Sequence, residues 1–218
     1  MKRRLFLLDN HNTWYDWRCT VTAKNVPPAD VKTNYVEIAG AHGALDLSEA
    51  LTGEPVYGTR KITASFMCSE GSHDDRCRLL RQIRTALHGR RVRIVEPDDP
   101  DHYLVGRVAV LEPVNGLAFL TFNIEATCDP WRYAINETRR AVTVKSGSID
   151  LVVRNEGDRT VCPVIEVTGS VSLTHQGVTT QLRTGGYQLT NLRLPHGPSV
   201  IRLAGSGSVV LTYREAVL

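Results

Sequence analysis

From Lys61 to Phe66 apolar and polar residues alternate, with Ile62, Ala64 and Phe66 on one side and Lys61, Thr63 and Ser65 on the other. That is the period of a half-buried strand. A second alternation puts Leu120, Phe122, Ile124 and Ala126 on one face and Thr121, Asn123 and Glu125 on the other, within a strand expected over residues 117–126. Between these runs the period changes. Cys77, Leu80, Ile83 and Leu87 recur at three- and four-residue steps, with Leu79 flanking, which predicts one amphipathic helix. Ser72 followed by Asp75 makes a capping box, Asp74 adds an acid to the first turn, and Gly89 supplies the stop. Val92, Ile94 and Val95 predict a strand, residues 96–102 a solvated hairpin loop, and residues 103–111 the returning strand.

Upstream, apolar runs at residues 4–9 and 17–24 predict two strands separated by the polar turn Asp9-Asn10-His11-Asn12. Pro27, Pro28 and Asp30 end the second. Tyr35, Val36 and Ile38 predict a short third strand closing at Gly40. Asp46-Leu47-Ser48 reads as a turn, and Gly53 and Pro55 break the chain before the alternating run. Strands, one helix, then a meander make an α+β pattern. Residues 131–140 read as a junction, which puts the domain boundary near residue 138 and divides the chain into 1–138 and 139–218. From residue 141 turn signals recur about every ten residues, among them Thr168-Gly169-Ser170, Gly185-Gly186 and Gly205-Ser206-Gly207. That spacing predicts a β-sandwich of roughly eight strands. The class is mainly β, with an α+β first domain and a second β-sandwich domain.

Composition narrows the function. The chain has 218 residues, 42% hydrophobic and 22% charged, with 17 Gly and 10 Pro, values that suit a packed, turn-rich β protein. A net charge of +3 is too mild for a dedicated nucleic-acid binder. Arg76, Arg78, Arg81 and Arg84 on the helix read as a solvated or inter-subunit face, with no second helix upstream to make a helix-turn-helix. Lys2-Arg3-Arg4 and the apolar residues after it stop at Asp9, short of a signal peptide, and no apolar run is long enough for a membrane span. The expected site of folding is therefore a cytoplasm. Five scattered cysteines, Cys19, Cys68, Cys77, Cys128 and Cys162, read as reduced thiols. Trp14, Tyr15 and Trp17 read as core or subunit-contact aromatics.

Candidate chemistry is sparse. Cys68, His73 and Cys77 are zinc-like in type but lack a fourth ligand nearby. Glu96, Asp98, Asp99 and Asp101 offer carboxylates without the glycine turn of a calcium loop. Gly205-Ser206-Gly207-Ser208 matches neither a nucleophile elbow nor a dinucleotide fingerprint, and His175 and His196 read as plain loop residues. No catalytic triad, metal centre or cofactor loop emerges, so the chain does not read as an enzyme and no cofactor is expected. After residue 141 only Tyr187 and Tyr213 are aromatic, and Tyr213 alternates with Val209 and Leu211 as a core residue would. A sugar-stacking surface, the basis of an alternative reading as a carbohydrate-binding adhesin module, has little to build on.

One ordered set does resemble a known family. Asp46, Leu47 and Ser48, then Gly53, Tyr57 and Arg60, then Ile62 and Phe66 on a strand, resemble the signature of siphophage distal tail proteins, the Dit family. The later Gly89, Asp98, Asp99, Tyr103, Gly106, Phe119, Phe122, Asp129 and Pro130 stand where that family carries a glycine, an acidic turn and a final Phe-rich strand. The resemblance covers residues 1–135 well and 141–218 loosely. It implies a first domain related to tail-tube folds that builds the wall of a hexameric ring, and a second, galectin-like sandwich projecting outward. It also implies a structural baseplate protein of a phage or prophage, at the virion tail tip, assembled in the host cytoplasm. Its implied partners are further copies of itself, the tail tube protein, a tail-associated hub or lysin protein and receptor-binding proteins, with DNA only in transit and no membrane. Under that reading the 98–101 loop or Glu125 supplies acidic groups to the bore.

Overall fold

The computed structural model describes residues 5–116 and 118–218. Lys2, Arg3 and Arg4 of the signal-like start, and Leu117 at the head of an expected strand, lie outside the described residues. The chain divides into two compact units, Met1–Arg132 and Tyr133–Leu218; the sequence placed the division near residue 138. It is mainly β, with several antiparallel sheets and, among the described residues, one α-helix.

The first unit is built on one antiparallel sheet. Its strands run in the order Leu7–Leu8, Arg91–Glu96, Asp99–Val110, Leu120–Cys128, Arg60–Cys68 and Thr20–Asn25. The two alternating runs found in the sequence are neighbours: Phe66 lies opposite Phe122, Ala64 opposite Ile124 and Ile62 opposite Ala126. This register puts Ile62, Ala64 and Phe66 on the same face as Leu120, Phe122, Ile124 and Ala126, all of them buried, while Met67 falls on the other face opposite Thr121. Phe66 stacks on Phe122 with ring centroids 5.2 Å apart and meets Phe6 edge-on at 5.9 Å.

The helix spans His73–Leu87. The Ser72 hydroxyl accepts from the Asp75 amide at 3.2 Å, and the Asp75 carboxylate accepts from the Ser72 amide at 2.9 Å, closing the expected capping box. Gly89, at φ +75°, follows the last turn as predicted. The buried stripe is Arg76, Leu80, Ile83 and Leu87, with Cys77 only half-buried. The correction has a clear cause. Arg76 keeps the four- and three-residue steps, lays its stem inward, and donates to the carbonyls of Gly71 at 2.8 Å and Gly116 at 3.2 Å. A charged residue can hold a core position when its head finds backbone acceptors.

The expected 96–102 loop is also tighter than predicted. Only Pro97 and Asp98 turn, and Asp99 already pairs with Glu96, the register shifting between Asp99 and Leu104. The acidic side chains tolerate this because cations meet them. Lys24 reaches Glu96 at 2.5 Å and Asp98 at 2.8 Å, while Arg132 reaches Glu96 at 2.6 Å and Asp99 at 2.9 Å.

In the second unit the long strand Gly197–Tyr213 is central. Its first half pairs with Ser148–Asn155 and its second with Thr138–Val144. Its other edge pairs along Val164–His175, which pairs in turn with Val178–Gln188. Five strands make this sheet, with Ala216–Val217 a further short strand of the unit outside it, where the turn spacing suggested roughly eight. The reason lies in three glycine clusters read as turns. Gly169, Gly185, Gly205 and Gly207 sit inside strands, and a side chain at Gly207 would meet the Thr168 carbonyl at 2.2 Å, and one at Gly205 the Ser170 carbonyl at 2.5 Å. The strands bend together where their backbones nearly touch, as glycine permits at a sheet corner. Residues on both sides of the bend, Ile165 and Leu211 on one and Val171 and Leu203 on the other, share one buried cluster.

Candidate assembly surface

Residues 31–57 leave the sheet as an arm. Its base is a two-stranded pairing of Val31–Lys32 with Val56–Tyr57, braced by the Gly58 amide on the Asp30 carbonyl at 2.7 Å. Further out, Tyr35–Glu37 pairs with Ala44–Asp46. The strand expected from Tyr35, Val36 and Ile38 therefore exists, but it ends at Glu37, before Ile38, and it is half of a hairpin. Every residue from 31 to 46 is exposed. Tyr35 is 60% exposed and Leu51 fully so, with Val31, Val36, Ile38 and Leu45 also open to solvent. So many large apolar side chains on one short projection are unusual for a surface that stays in water.

The signature residues fall into two groups. Asp46, Leu47, Ser48 and Gly53 shape the arm. The Asp46 carboxylate accepts from the Ser48 amide at 2.9 Å, and the hydrogen bonds from the Ser48 hydroxyl and amide hold this carboxyl below its usual range. The Ser48 hydroxyl in turn accepts from the Asn34 amide at 2.8 Å, and the Leu47 amide donates to the Asn34 carbonyl at 2.8 Å, tying the two sides of the arm. Gly53 takes φ +70°, which a side chain would oppose. Tyr57 sits at the base and meets Trp131 edge-on at 5.4 Å. Arg60, Ile62 and Phe66 belong to the sheet instead, and all three are buried.

Arg60 is the largest fully buried side chain, 1% exposed, and its Nε and one terminal nitrogen meet no acceptor among the described residues. Burial, and then the charge of Arg132, pull its pKa below the usual arginine value. The alternation of the strand extended one step back would have placed Arg60 inward; a charge at that step conceals it.

Other candidates gather into no chemical centre. Of the carboxylates expected in a bore, Asp98 is neutralised by Lys24, Asp99 by Arg132, and Glu125 by Lys61 at 2.9 Å. Asp99 also meets His102 at 2.8 Å; burial pushes its carboxyl up, but the His102 and Arg132 contacts outweigh this and hold it low. Cys19, Cys68 and Cys128 are buried, Cys128 pushed up to about 12 by burial, while Cys162 is exposed. His73 and Cys77 approach at 3.7 Å, but among the described residues no group of three or more metal-ligating side chains converges. His175 corrects its reading as a loop residue. It ends a strand, is buried, and its ring nitrogens lie 3.1 Å from the Val200 carbonyl and 3.3 Å from that of Arg193. Tyr213 is buried with its hydroxyl on the Arg154 carbonyl, and Tyr187 packs against the same core, its hydroxyl on the Arg183 carbonyl at 2.9 Å. Trp17 is buried and stacks on His11 at 5.1 Å. No helix among the described residues is long and apolar enough to cross a membrane.

No family model and no curated protein matches the sequence. Solved structures do match. The structure of the phage P2 baseplate in its activated conformation with Ca aligns with a TM-score of 0.44 at 8% identity, over 97% of this chain and 98% of that one. The crystal structure of the phage SPP1 Dit protein (gp 19.1), described as a paradigm of the hub adsorption apparatus in phages infecting Gram-positive bacteria, matches with a TM-score of 0.68 at 16% identity. That match spans 98% of this chain and 99% of the SPP1 protein, so the chain has the fold of a Dit protein along nearly its whole length.

Proposed function

We propose that this chain is a siphophage or prophage distal tail protein, a structural subunit of the tail tip and not an enzyme. Copies close into a hexameric ring. One face of the ring docks the tail tube protein and the other the tail-associated hub, with receptor-binding proteins at the periphery and DNA passing only in transit. The subunit is assembled in the bacterial cytoplasm and works in the virion. The observation that carries this reading is the end-to-end likeness to the SPP1 Dit protein in a chain that projects an unpartnered apolar arm. The signature divides its labour accordingly. Asp46, Leu47, Ser48 and Gly53 set the arm's shape, Tyr57 anchors it, and Arg60, Ile62 and Phe66 hold the strand from which it springs. A ring is the natural product of one repeated head-to-tail contact.

The test is imaging of the purified full chain by mass photometry and negative-stain microscopy. Six-membered rings with a central hole are the expected result. A strict monomer, both alone and mixed with the tail tube and hub proteins of the same phage, overturns the reading.

A further inference from the structure

The arm and the helix of the first unit are opposite in formal charge, and several charges on each meet no ion-pair partner among the described residues. Residues 30–57 carry Asp30, Glu37, Asp46, Glu49 and Glu54 against Lys32 alone, a formal charge of −4. Residues 73–91 carry six arginines against Asp74 and Asp75, a formal charge of +4. On the arm, Asp30, Glu37 and Glu49 have no cationic partner among the described residues. On the helix and the turn after it, Arg81, Arg84 and Arg90 are exposed and have no anionic partner among them. A shallow groove there is lined by Arg78, Arg81, Gln82, Thr85, Ala86 and Arg90. The arginine stems and Ala86 give it an apolar floor under a charged rim.

We propose that the arm of one copy docks on this helix face of the next copy. The proposal rests on the ring reading above and adds the two surfaces that make its contact. Val36, which lies opposite Leu45, covers the groove floor with Leu45, Ile38 and Leu51, while Asp30, Glu37 and Glu49 meet Arg81, Arg84 and Arg90. Tyr35 offers a ring face to a guanidinium. An arm and a helix are different patches, so the contact is head-to-tail and its repetition closes a ring when the rotation per copy is right. A polyanion on the helix would use the arginines but leave the apolar arm in water; a second copy covers both surfaces with one contact.

Two experiments on the full chain decide it. First, a photo-crosslinking benzoylphenylalanine replaces the exposed Leu51. Irradiation is expected to join two chains, with the adduct mapping to residues 73–91; no intermolecular adduct, or one mapping elsewhere, overturns the proposal. Second, charges are reversed at exposed positions. Arg81→Glu with Arg84→Glu, or Glu37→Arg with Glu49→Arg, each weakens self-association roughly tenfold or more, because like charges then face each other. The chain carrying all four changes recovers to within about threefold of the original affinity. Rings that survive both reversals overturn the docking but leave the ring reading intact. Adducts at the helix in open filaments or dimers keep the docking and overturn the hexamer. If the helix reversal abolishes binding to a labelled DNA duplex while self-association is unchanged, the helix serves a polyanion and the proposal fails.

Discussion

Residues 43–66 run without a break in the sequence, yet their two ends live in different solvents. Leu45 and Leu51, in the first half, keep their apolar surface in water; Ile62, Ala64 and Phe66, in the second, lose it to the opposite strand and the core. Both halves belong to the same family-like signature. The difference separates two kinds of constraint. A buried residue answers to the stability of its own chain, whereas an apolar residue held out on a hydrogen-bonded arm stabilises nothing until something covers it. Arg60 stands at the border. It is buried like the second half but carries the kind of group expected of the first.

That contrast can be broken by mutation, beginning with the largest effect. Phe66→Ala removes a ring packed between Phe6 and Phe122, so a loss of about 3–5 kcal/mol is expected. The three tryptophans, Trp14, Trp17 and Trp131, all lie in the first unit, so tryptophan fluorescence in a denaturant titration reads that loss directly. Glycines sharpen the same contrast. Gly207→Ala drives a methyl into the Thr168 carbonyl and is expected to cost roughly 1–3 kcal/mol, seen by calorimetry. Gly53→Ala on the arm meets open space and bears only its left-handed backbone, about 1 kcal/mol. Arg60→Met should leave stability unchanged or raise it, since it removes a buried charge with two nitrogens that meet no acceptor among the described residues. A fall in the unfolding midpoint would mean that Arg60 has a partner supplied by assembly or solvent.

Acid tests the ion-paired carboxylates. Asp99 has a folded pKa below its ordinary 3.8, so its stabilising contribution is complete above 3.8 and is lost as the pH falls below that value. Asp99→Asn should flatten the loss of first-unit stability in this window; an unchanged acid limb would show that the carboxyl is not held by His102 and Arg132. The smallest effect on folding belongs to the arm. Leu51→Ser should shift stability by no more than about 0.5 kcal/mol while weakening self-association in mass photometry. A large stability loss there would place Leu51 in the fold instead of a contact.

Several features were legible because their cause is local. The capping box at Ser72 and Asp75 depends on residues three apart, and the Arg60–Cys68 and Leu120–Cys128 strands show their alternation without knowledge of a partner. Features that failed to show depend on distant residues. Arg76 is buried because the carbonyls of Gly71 and Gly116 accept its guanidinium, and Gly116 is 40 positions away. Asp99 joins a strand because Lys24 and Arg132 neutralise its neighbourhood. Glycines at 169, 205 and 207 imitate turns because a turn and a bend in paired strands need the same missing side chain.

The sequence alone determined the period of each element, the helix with its ends, and the order of the signature residues, because each is set by neighbours within a few positions. Only the tertiary structure decided which apolar residues stay outside. Leu45 lies in a strand of three residues and Phe66 in an alternating strand of nine, yet the alternation by itself does not say what lies opposite either. The strand opposite Phe66 brings Phe122, whereas the strand opposite Leu45 brings Val36, itself in water. Burial is a property of what the fold places across the way, and an arm is what remains when the fold places nothing there.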